Sequence, residues 1–483
     1  MNSHSISGVC VYIEWYSEAQ KLERSKMGSG RHILAIPYPA QGHVIPMLEL
    51  SLCLAKQGFE ITFLNTEYNH RRVMGALAGT ERVGDGNIHL VSLPDGMKPG
   101  EDRNDLGKLT NTMLQVMPMK LEELMNTIDG LGGRGITCVI ADENLGWALE
   151  VAEKMRIRRV AFWPAAAALL AMQFRIPKLI EEKLIGSDGT LLKSEEIMLA
   201  SSVPTTRTES LVWACVGDKE TEKILFQVCS RNNKAIEAAD WVICNTVYEL
   251  EAEIFSIAPR ILPIGPLLAS NRLENSVGHF WPEDSTCLKW LDQQSPRSVI
   301  YVAFGSFTVL NNTQFQELAS GLEVTGKPFL WVVRPDITEQ NPNNVFPLGF
   351  QERVKSRGKI VGWAPQQRVL NHPSIACFLS HCGWNSTLES LSNGVPFLCW
   401  PYFADQFLNE SYICDIWKVG LKLNKDEHGV IKRTEIKEKV EKLLGDDELK
   451  QRIQKLKKTV LKSAEKGGGS YKNLNNFINW LKS

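Results

Sequence analysis

The 483-residue chain has no run of about 18 apolar residues, so no segment is long enough to span a membrane as a helix. It has no CxxC pair. Its 11 cysteines stand singly from Cys10 to Cys414, as expected of reduced thiols serving as small core side chains in a reducing compartment. It has almost no net charge: 54 basic against 55 acidic side chains leave −1, so no global field recruits nucleic acid or an anionic lipid surface. No basic segment followed by an apolar one opens the chain, because Glu14, Glu18 and Lys21 interrupt the only candidate. A cytoplasmic monomer with small-molecule partners, no nucleic acid and no stable membrane insertion is the expectation. No G-x-G-x-x-G turn follows a candidate strand, which counts against a dinucleotide-dependent oxidoreductase.

What is present is a rhythm. Short runs rich in Val, Ile, Leu and Phe alternate with longer amphipathic stretches, the pattern of βα units whose strands are covered on both faces. Strands are predicted at His32–Pro37, Ile61–Asn65, Ile88–Leu93, Cys138–Ala141, Arg159–Trp163 and Trp241–Asn245. The second half repeats the pattern at Val299–Phe304, Phe329–Val333, Ile360–Val361, Ala376–Leu379 and Pro396–Trp400. Helices are expected at Ile45–Lys56, Leu145–Lys154 and Tyr471–Leu481. A chain this long divides by default into two domains of about 200 residues each. The expected division is 1–26 as a disordered extension without function, 27–265 as an N-terminal domain and 266–282 as a polar linker. A C-terminal domain then spans 283–466, and 467–483 is a helix that crosses back after Gly467-Gly468-Gly469-Ser470. The fold class is α/β: two doubly wound Rossmann-like domains facing a cleft, with ligands at the carboxyl ends of the strands.

Chemistry concentrates between Trp363 and Gln406. His381-Cys382-Gly383-Trp384-Asn385-Ser386 follows an apolar strand and opens a helix, where backbone N–H groups and the helix dipole hold a diphosphate well. Glu389, one turn after Ser386, is placed to accept hydrogen bonds from a ribose diol. Trp363 is placed to stack on a planar base. Each residue alone has a bland explanation: Trp363 as core, Glu389 as a solvated helix residue, Asp405 as an N-cap. Cys377, His381 and Cys382 match no closed zinc ligand set. Together, the 44 residues from Trp363 to Gln406 closely resemble the signature box of the plant UDP-glycosyltransferases, through Trp363-Ala364-Pro365-Gln366, the His381–Ser386 run, Glu389 and Asp405-Gln406.

The resemblance implies a GT-B type fold and a list of roles. Trp363 stacks on uracil and the Ala364 backbone pairs with its edge. Gln366 and Glu389 hold the ribose, while His381, Asn385 and Ser386 hold the phosphates. Trp384, Asp405 and Gln406 contact the sugar, and the terminal glutamine resembles the glucose-using pattern. Phe304-Gly305-Ser306 resembles the second phosphate loop of that family, with Ser306 on the donor. No DxD triplet occurs, which fits an enzyme that stabilises the departing UDP without a metal or other cofactor.

In the first half, Pro37-Tyr38-Pro39-Ala40-Gln41-Gly42-His43 leads from a strand into a helix, and Asp142 ends a later strand. Strand ends gather at one edge of a parallel sheet, so the two can meet there. The helix dipole at His43 is expected to keep its ring neutral. A histidine and an aspartate far apart in sequence are usually unrelated, but both stretches resemble the same family. The resemblance implies that His43 is the general base and Asp142 its partner. Phe162-Trp163-Pro164-Ala165 departs from many relatives, which carry a hydroxyl where Pro164 stands. Pro94–Met97, Trp147, Ala165–Met172 and helices near Ile197–Ser202 are expected to form an apolar acceptor pocket. The implied reaction is inverting transfer of a sugar, glucose by the box, to a hydroxyl or carboxyl of a small hydrophobic, phenolic acceptor such as a flavonoid or phenylpropanoid. A nucleotide-sugar-binding protein without catalysis is the competing reading, which His43 and Asp142 disfavour.

Overall fold

The computed structural model describes residues 31–76, 87–130, 135–216, 218–267 and 279–483. The predicted extension 1–26 and most of the predicted linker lie outside them.

The first half contributes β1 (His32–Ile36), β2 (Glu60–Thr66), β3 (Ile88–Leu93), β4 (Ile136–Asp142), β5 (Arg158–Trp163), β6 (Glu196–Ile197), β7 (Thr206–Arg207), β8 (Trp241–Cys244) and β9 (Ile261–Pro263). The second contributes β10 (Val299–Ala303), β11 (Phe329–Val332), β12 (Gly358–Val361), β13 (Ile375–Ser380), β14 (Phe397–Cys399) and β15 (Gly420–Lys422). Seven strands form one sheet in the order β3-β2-β1-β4-β5-β8-β9, and six form another in the order β12-β11-β10-β13-β14-β15. Every pairing within these two sheets is parallel. Helices cover both faces, which is why all five residues of β1 and of β10 are buried.

In each sheet the chain winds outward one way from its first strand and then returns to wind the other way. The reversal falls between β1 and β4 in the first sheet and between β10 and β13 in the second. At such a point two neighbouring βα turns diverge and leave a crevice at the carboxyl edge. His43 follows β1 and Asp142 ends β4, while Gly305-Ser306 follows β10 and His381 follows β13. Topology alone therefore sends the four motifs of interest to two facing crevices.

The last helix, Gly469–Lys482, returns to the first sheet. Phe477, Ile478 and Leu481 pack into the same core cluster as Ile33 and Val160. Asn473 Nδ2 donates to the carbonyl of Pro263 (2.9 Å), and Arg158 Nη1 to that of Trp480 (2.9 Å). Helices were expected near Ile197–Ser202, but the structure has a short antiparallel hairpin, β6 with β7. Ser201, Ser202 and Pro204 favour a turn there. The turn is anchored by Glu253, which accepts from the Ser201 hydroxyl (3.0 Å) and the Ser202 amide (3.0 Å). No helix among the described residues is long and apolar enough to cross a membrane.

Candidate active site

A cleft of about 410 Å³ lies between the sheets and is lined from both. On the first-sheet side, Asn69 Nδ2 bonds the carbonyl of Pro39 (2.8 Å) and so fixes the loop that delivers His43 to the start of helix Gln41–Ala55. His43 Nδ1 lies 2.7 Å from Asp142 Oδ2. The other carboxylate oxygen accepts from the backbone and side-chain nitrogens of Asn144 (3.0 and 3.1 Å), so Asp142 is held on both sides. A carboxylate only accepts, so Nδ1 carries the hydrogen and Nε2 keeps the lone pair that takes up a proton.

Electrostatics differ from the dipole expectation. Burial pushes the His43 pKa down, but the charge of Asp142, its hydrogen bond and the charge of Asp405 outweigh it, and the value lies above the ordinary 6.5. A helix terminus is worth about 0.3–1 kcal/mol, and a hydrogen bond to a charged partner about 1.5–3 kcal/mol. The carboxylate wins.

The opposite wall carries the signature residues. β13 ends at Ser380, whose hydroxyl accepts from Cys382 N (3.0 Å), and Cys382 turns the chain at φ 65°. Helix Trp384–Asn393 then starts at Gly383 with no side-chain cap. Its first amides have no intrahelical acceptor, which leaves Asn385 N and Ser386 N as donors at the cleft. His381 sits between two glycines: a Cβ on either Gly305 or Gly383 would come within 2.5 Å of its Nε2. Burial and then the nearby Arg334 charge push the His381 pKa down to about 4, so its ring offers an N–H and no charge. Its Nδ1 is buried and has no hydrogen-bond partner among the described residues.

Gln366 Nε2 donates to Ser386 Oγ (2.8 Å) and Glu389 Oε2 (2.7 Å), while its oxygen accepts from Tyr301 (3.1 Å). Three residues spread over 24 positions thus form one polar cluster. Trp363 Nε1 lies 3.2 Å from His279 Nδ1, and Ala364 and Ser306 also line the cleft. Gln406 Oε1 accepts from Tyr402 N (2.7 Å) and Phe403 N (2.9 Å), which fixes its amide orientation. Asp405 Oδ2 accepts from Asn409 (2.8 Å), and burial raises the Asp405 pKa. The Trp384 indole, 3% exposed, donates to the carbonyl of Asn245 on the first-sheet side (2.8 Å). Among the described residues no group of three or more His, Cys, Asp or Glu is arranged to hold a metal ion.

Asn385 Nδ2 also crosses the cleft, donating to the carbonyl of Gly42 (2.7 Å). Helix geometry explains why that carbonyl is available. Its intrahelical donor would be the amide of residue 46, and residue 46 is a proline.

The acceptor side agrees with expectation at Trp147, Ala165 and Leu169, and Pro164 lines the cleft beside them. Pro94–Met97 and Ile197–Ser202 do not line the cleft. Thr110, Met113 and Leu114 of helix Leu106–Gly130, and Leu225, Val228 and Cys229 of helix Lys219–Glu237, do. Arg334 also escaped the sequence reading. Its side chain is 2% exposed, its Nη2 donates to the carbonyl of Thr308 (2.5 Å) and its Nε lies 3.3 Å from Asp336. An arginine directly after an apolar strand at a sheet's carboxyl edge was the available signal.

A family model described as UDP-glucoronosyl and UDP-glucosyl transferase matches residues 282–461. UDP-glycosyltransferase 83A1 of Arabidopsis thaliana is 49% identical over 465 residues, covering 94% of this chain and 97% of that one. The 7-deoxyloganetic acid glucosyltransferase of Catharanthus roseus is 36% identical over 481 residues, covering 94% and 97%. Among solved structures, a UDP-glucosyltransferase from Polygonum tinctorium capable of glucosylating indoxyl superposes with a TM-score of 0.78 at 26% identity, covering 94% of this chain and 99% of that one. Os79 from O. sativa in complex with UDP gives 0.77 at 27% identity, covering 93% and 100%. With its two facing parallel sheets and a relative identical at nearly half of the aligned positions, the chain belongs to the plant UDP-glycosyltransferases and has their GT-B fold.

Proposed function

We propose that the enzyme transfers glucose from UDP-glucose to a hydroxyl of a small, largely apolar acceptor of phenolic type, with inversion and without a metal ion; a carboxyl is the second acceptor class. The observation that carries this reading is that His43, oriented through Nδ1 by Asp142 at 2.7 Å, shares one cleft with the donor residues of the opposite wall. His43 Nε2 takes the acceptor proton. The acceptor oxygen attacks the anomeric carbon from the face opposite UDP, and the bond from that carbon to the β-phosphate oxygen breaks, its electron pair leaving with UDP. An α-linked donor becomes a β-glycoside.

On the donor side Trp363 stacks on uracil, the Ala364 backbone pairs with its edge, and Gln366 and Glu389 hold the ribose. Ser306, His381, Asn385 and Ser386 donate to phosphate oxygens, and Trp384, Asp405 and Gln406 border the sugar. Hydrogen-bond donors fixed before reaction stabilise the departing diphosphate most effectively in a cleft that excludes water. The deciding experiment is turnover with a panel of UDP-sugars and flavonoid or phenylpropanoid acceptors, with and without a chelator, and with the product anomer read by NMR. The expected result is a β-glucoside at undiminished rate under chelation. An α-glucoside removes inversion, chelator sensitivity removes metal independence, and no transfer to any phenol removes the acceptor class.

A second expectation concerns pH. The base must be neutral, and the His43 pKa is raised, so kcat/KM falls as pH drops through a value above 6.5. Asp142→Asn removes the charge that raises it and leaves burial to dominate. The acidic limb then moves to lower pH as the plateau rate falls. An unmoved limb in the pH–rate profile would show that another group titrates. The sign for stability is opposite: a raised histidine pKa contributes stability below its ordinary 6.5 that is lost as pH rises through the folded value.

A further inference from the structure

The acceptor side of the cleft is apolar for most of its wall, but not throughout. Trp147 and Gln173, each 2% exposed, both line it. Trp147 Nε1 and Gln173 Oε1 have no hydrogen-bond partner among the described residues. Glu143, 0% exposed, has two more such atoms in its carboxyl oxygens.

These groups are linked in space. Glu143 and Trp147 stand four residues apart across the turn that follows β4. Cys229, which lines the cleft, lies close enough to Glu143 that ionising this carboxyl raises the thiol pKa. Asn233, one helical turn beyond Cys229, donates through Nδ2 to the backbone carbonyl of Gln173 (2.8 Å). Burial, and then the neighbouring Asp142 charge, push the Glu143 pKa up to about 8, so the carboxyl carries a proton at neutral pH. A buried donor or acceptor left unpaired is destabilising, and native proteins keep few of them. Here three residues that carry them, Glu143, Trp147 and Gln173, come from the turn after β4 and from helices Gly146–Lys154 and Ala167–Phe174 beside the cleft.

We infer that Trp147 and Gln173 recognise a second hydroxyl on the acceptor, besides the one His43 deprotonates, so that the enzyme selects dihydroxy over monohydroxy acceptors. This rests on the reading of the cleft as the glycosyl-acceptor site. The chemistry of the two atoms selects the group. An indole N–H only donates and an amide oxygen only accepts, so their common complement both accepts and donates. A hydroxyl does both with a single oxygen. A carboxylate cannot donate to Gln173 Oε1, and an ether or ketone leaves it unpaired. A site built to bond a substrate hydroxyl discriminates strongly against the analogue that lacks it, because its own buried groups are then left without partners.

The test compares 4′,7-dihydroxyflavone with 7-hydroxyflavone, following transfer to the shared 7-hydroxyl with UDP-glucose. The unaltered enzyme is expected to favour the diol in kcat/KM by about tenfold or more, the worth of one to two hydrogen bonds. Trp147→Phe and Gln173→Leu each keep the shape and remove the polar atom. Each is expected to lower kcat/KM for the diol about tenfold more than for the monohydroxy compound. UDP affinity by calorimetry, read at the opposite wall, reports that the variants are folded. Equal losses for both acceptors, or no preference in the unaltered enzyme, overturn the inference and make these residues structural. Transfer to neither flavone overturns the acceptor-site reading itself and this inference with it.

Discussion

His43→Ala is expected to slow glycosyl transfer by about 10²–10⁴-fold, the usual share of a positioned general base, while UDP affinity stays nearly unchanged. The separation of the two effects follows from where the residue stands. His43 belongs to the first sheet's crevice and bonds Asp142 of the same sheet, whereas Trp363, Gln366, His381, Ser386 and Glu389 all belong to the second half of the chain. Truncation leaves Asp142 buried with Asn144 still on its Oδ1, so the local frame survives. Single-turnover rates and UDP calorimetry on the variant check the point. Parallel loss of rate and UDP affinity would place His43 on the donor and leave the acceptor proton without a base.

The second large effect is expected at a residue with no side chain. Gly305→Ala should weaken UDP binding by at least about tenfold, or about 1.4 kcal/mol, and lower stability by about 1–3 kcal/mol. Gly305 has φ +65°, a conformation that an alanine adopts only with strain. The added Cβ would stand 2.5 Å from His381 Nε2. On the other side Gly383 stands so near that a Cβ there would also fall 2.5 Å from Nε2, which leaves the ring little room to retreat. The ring must rotate out of the cleft or the loop after β10 must move, and either change misplaces the donor proposed above for phosphate. Calorimetric titration with UDP and a thermal melt measure the two consequences. Unchanged affinity would remove the Gly305–His381 contact from the donor site.

Much of the fold is legible in the residues because parallel strands covered on both faces must be apolar throughout. Ile88–Leu93 was delimited to the residue, and the strands bearing His43, Asp142, Gly305 and His381 were each placed within two residues at either end. Elements too short to carry a pattern were lost. β9 and β15 have three residues each, and the β6–β7 hairpin has two per strand. At the site, the Gln366–Ser386–Glu389 cluster was visible through spacing within one contiguous segment. The electrostatics were not. The His43 pKa depends on Asp142 and Asp405, 99 and 362 positions away, and on a burial that no local pattern reports. The same distance hid the acceptor wall, where helices Leu106–Gly130 and Lys219–Glu237 meet only after the sheet has formed. Trp147 read as an apolar pocket residue because composition describes its ring, while the unpaired indole N–H emerges only once its neighbours are known.

Pro46 has a consequence that reaches beyond its own helix. A proline in a helix interior withdraws one amide, and the cost is normally counted within that helix. Here the withdrawn amide leaves the Gly42 carbonyl, next to the base, as an acceptor for Asn385 on the far wall. The side-chain amide of Asn385 has two hydrogens, and the bond to Gly42 uses one of them. A single side chain then ties the opening of one helix to the opening of another on the facing wall. The imino acid at position 46 works as a vacancy in one half of the molecule that the other half fills.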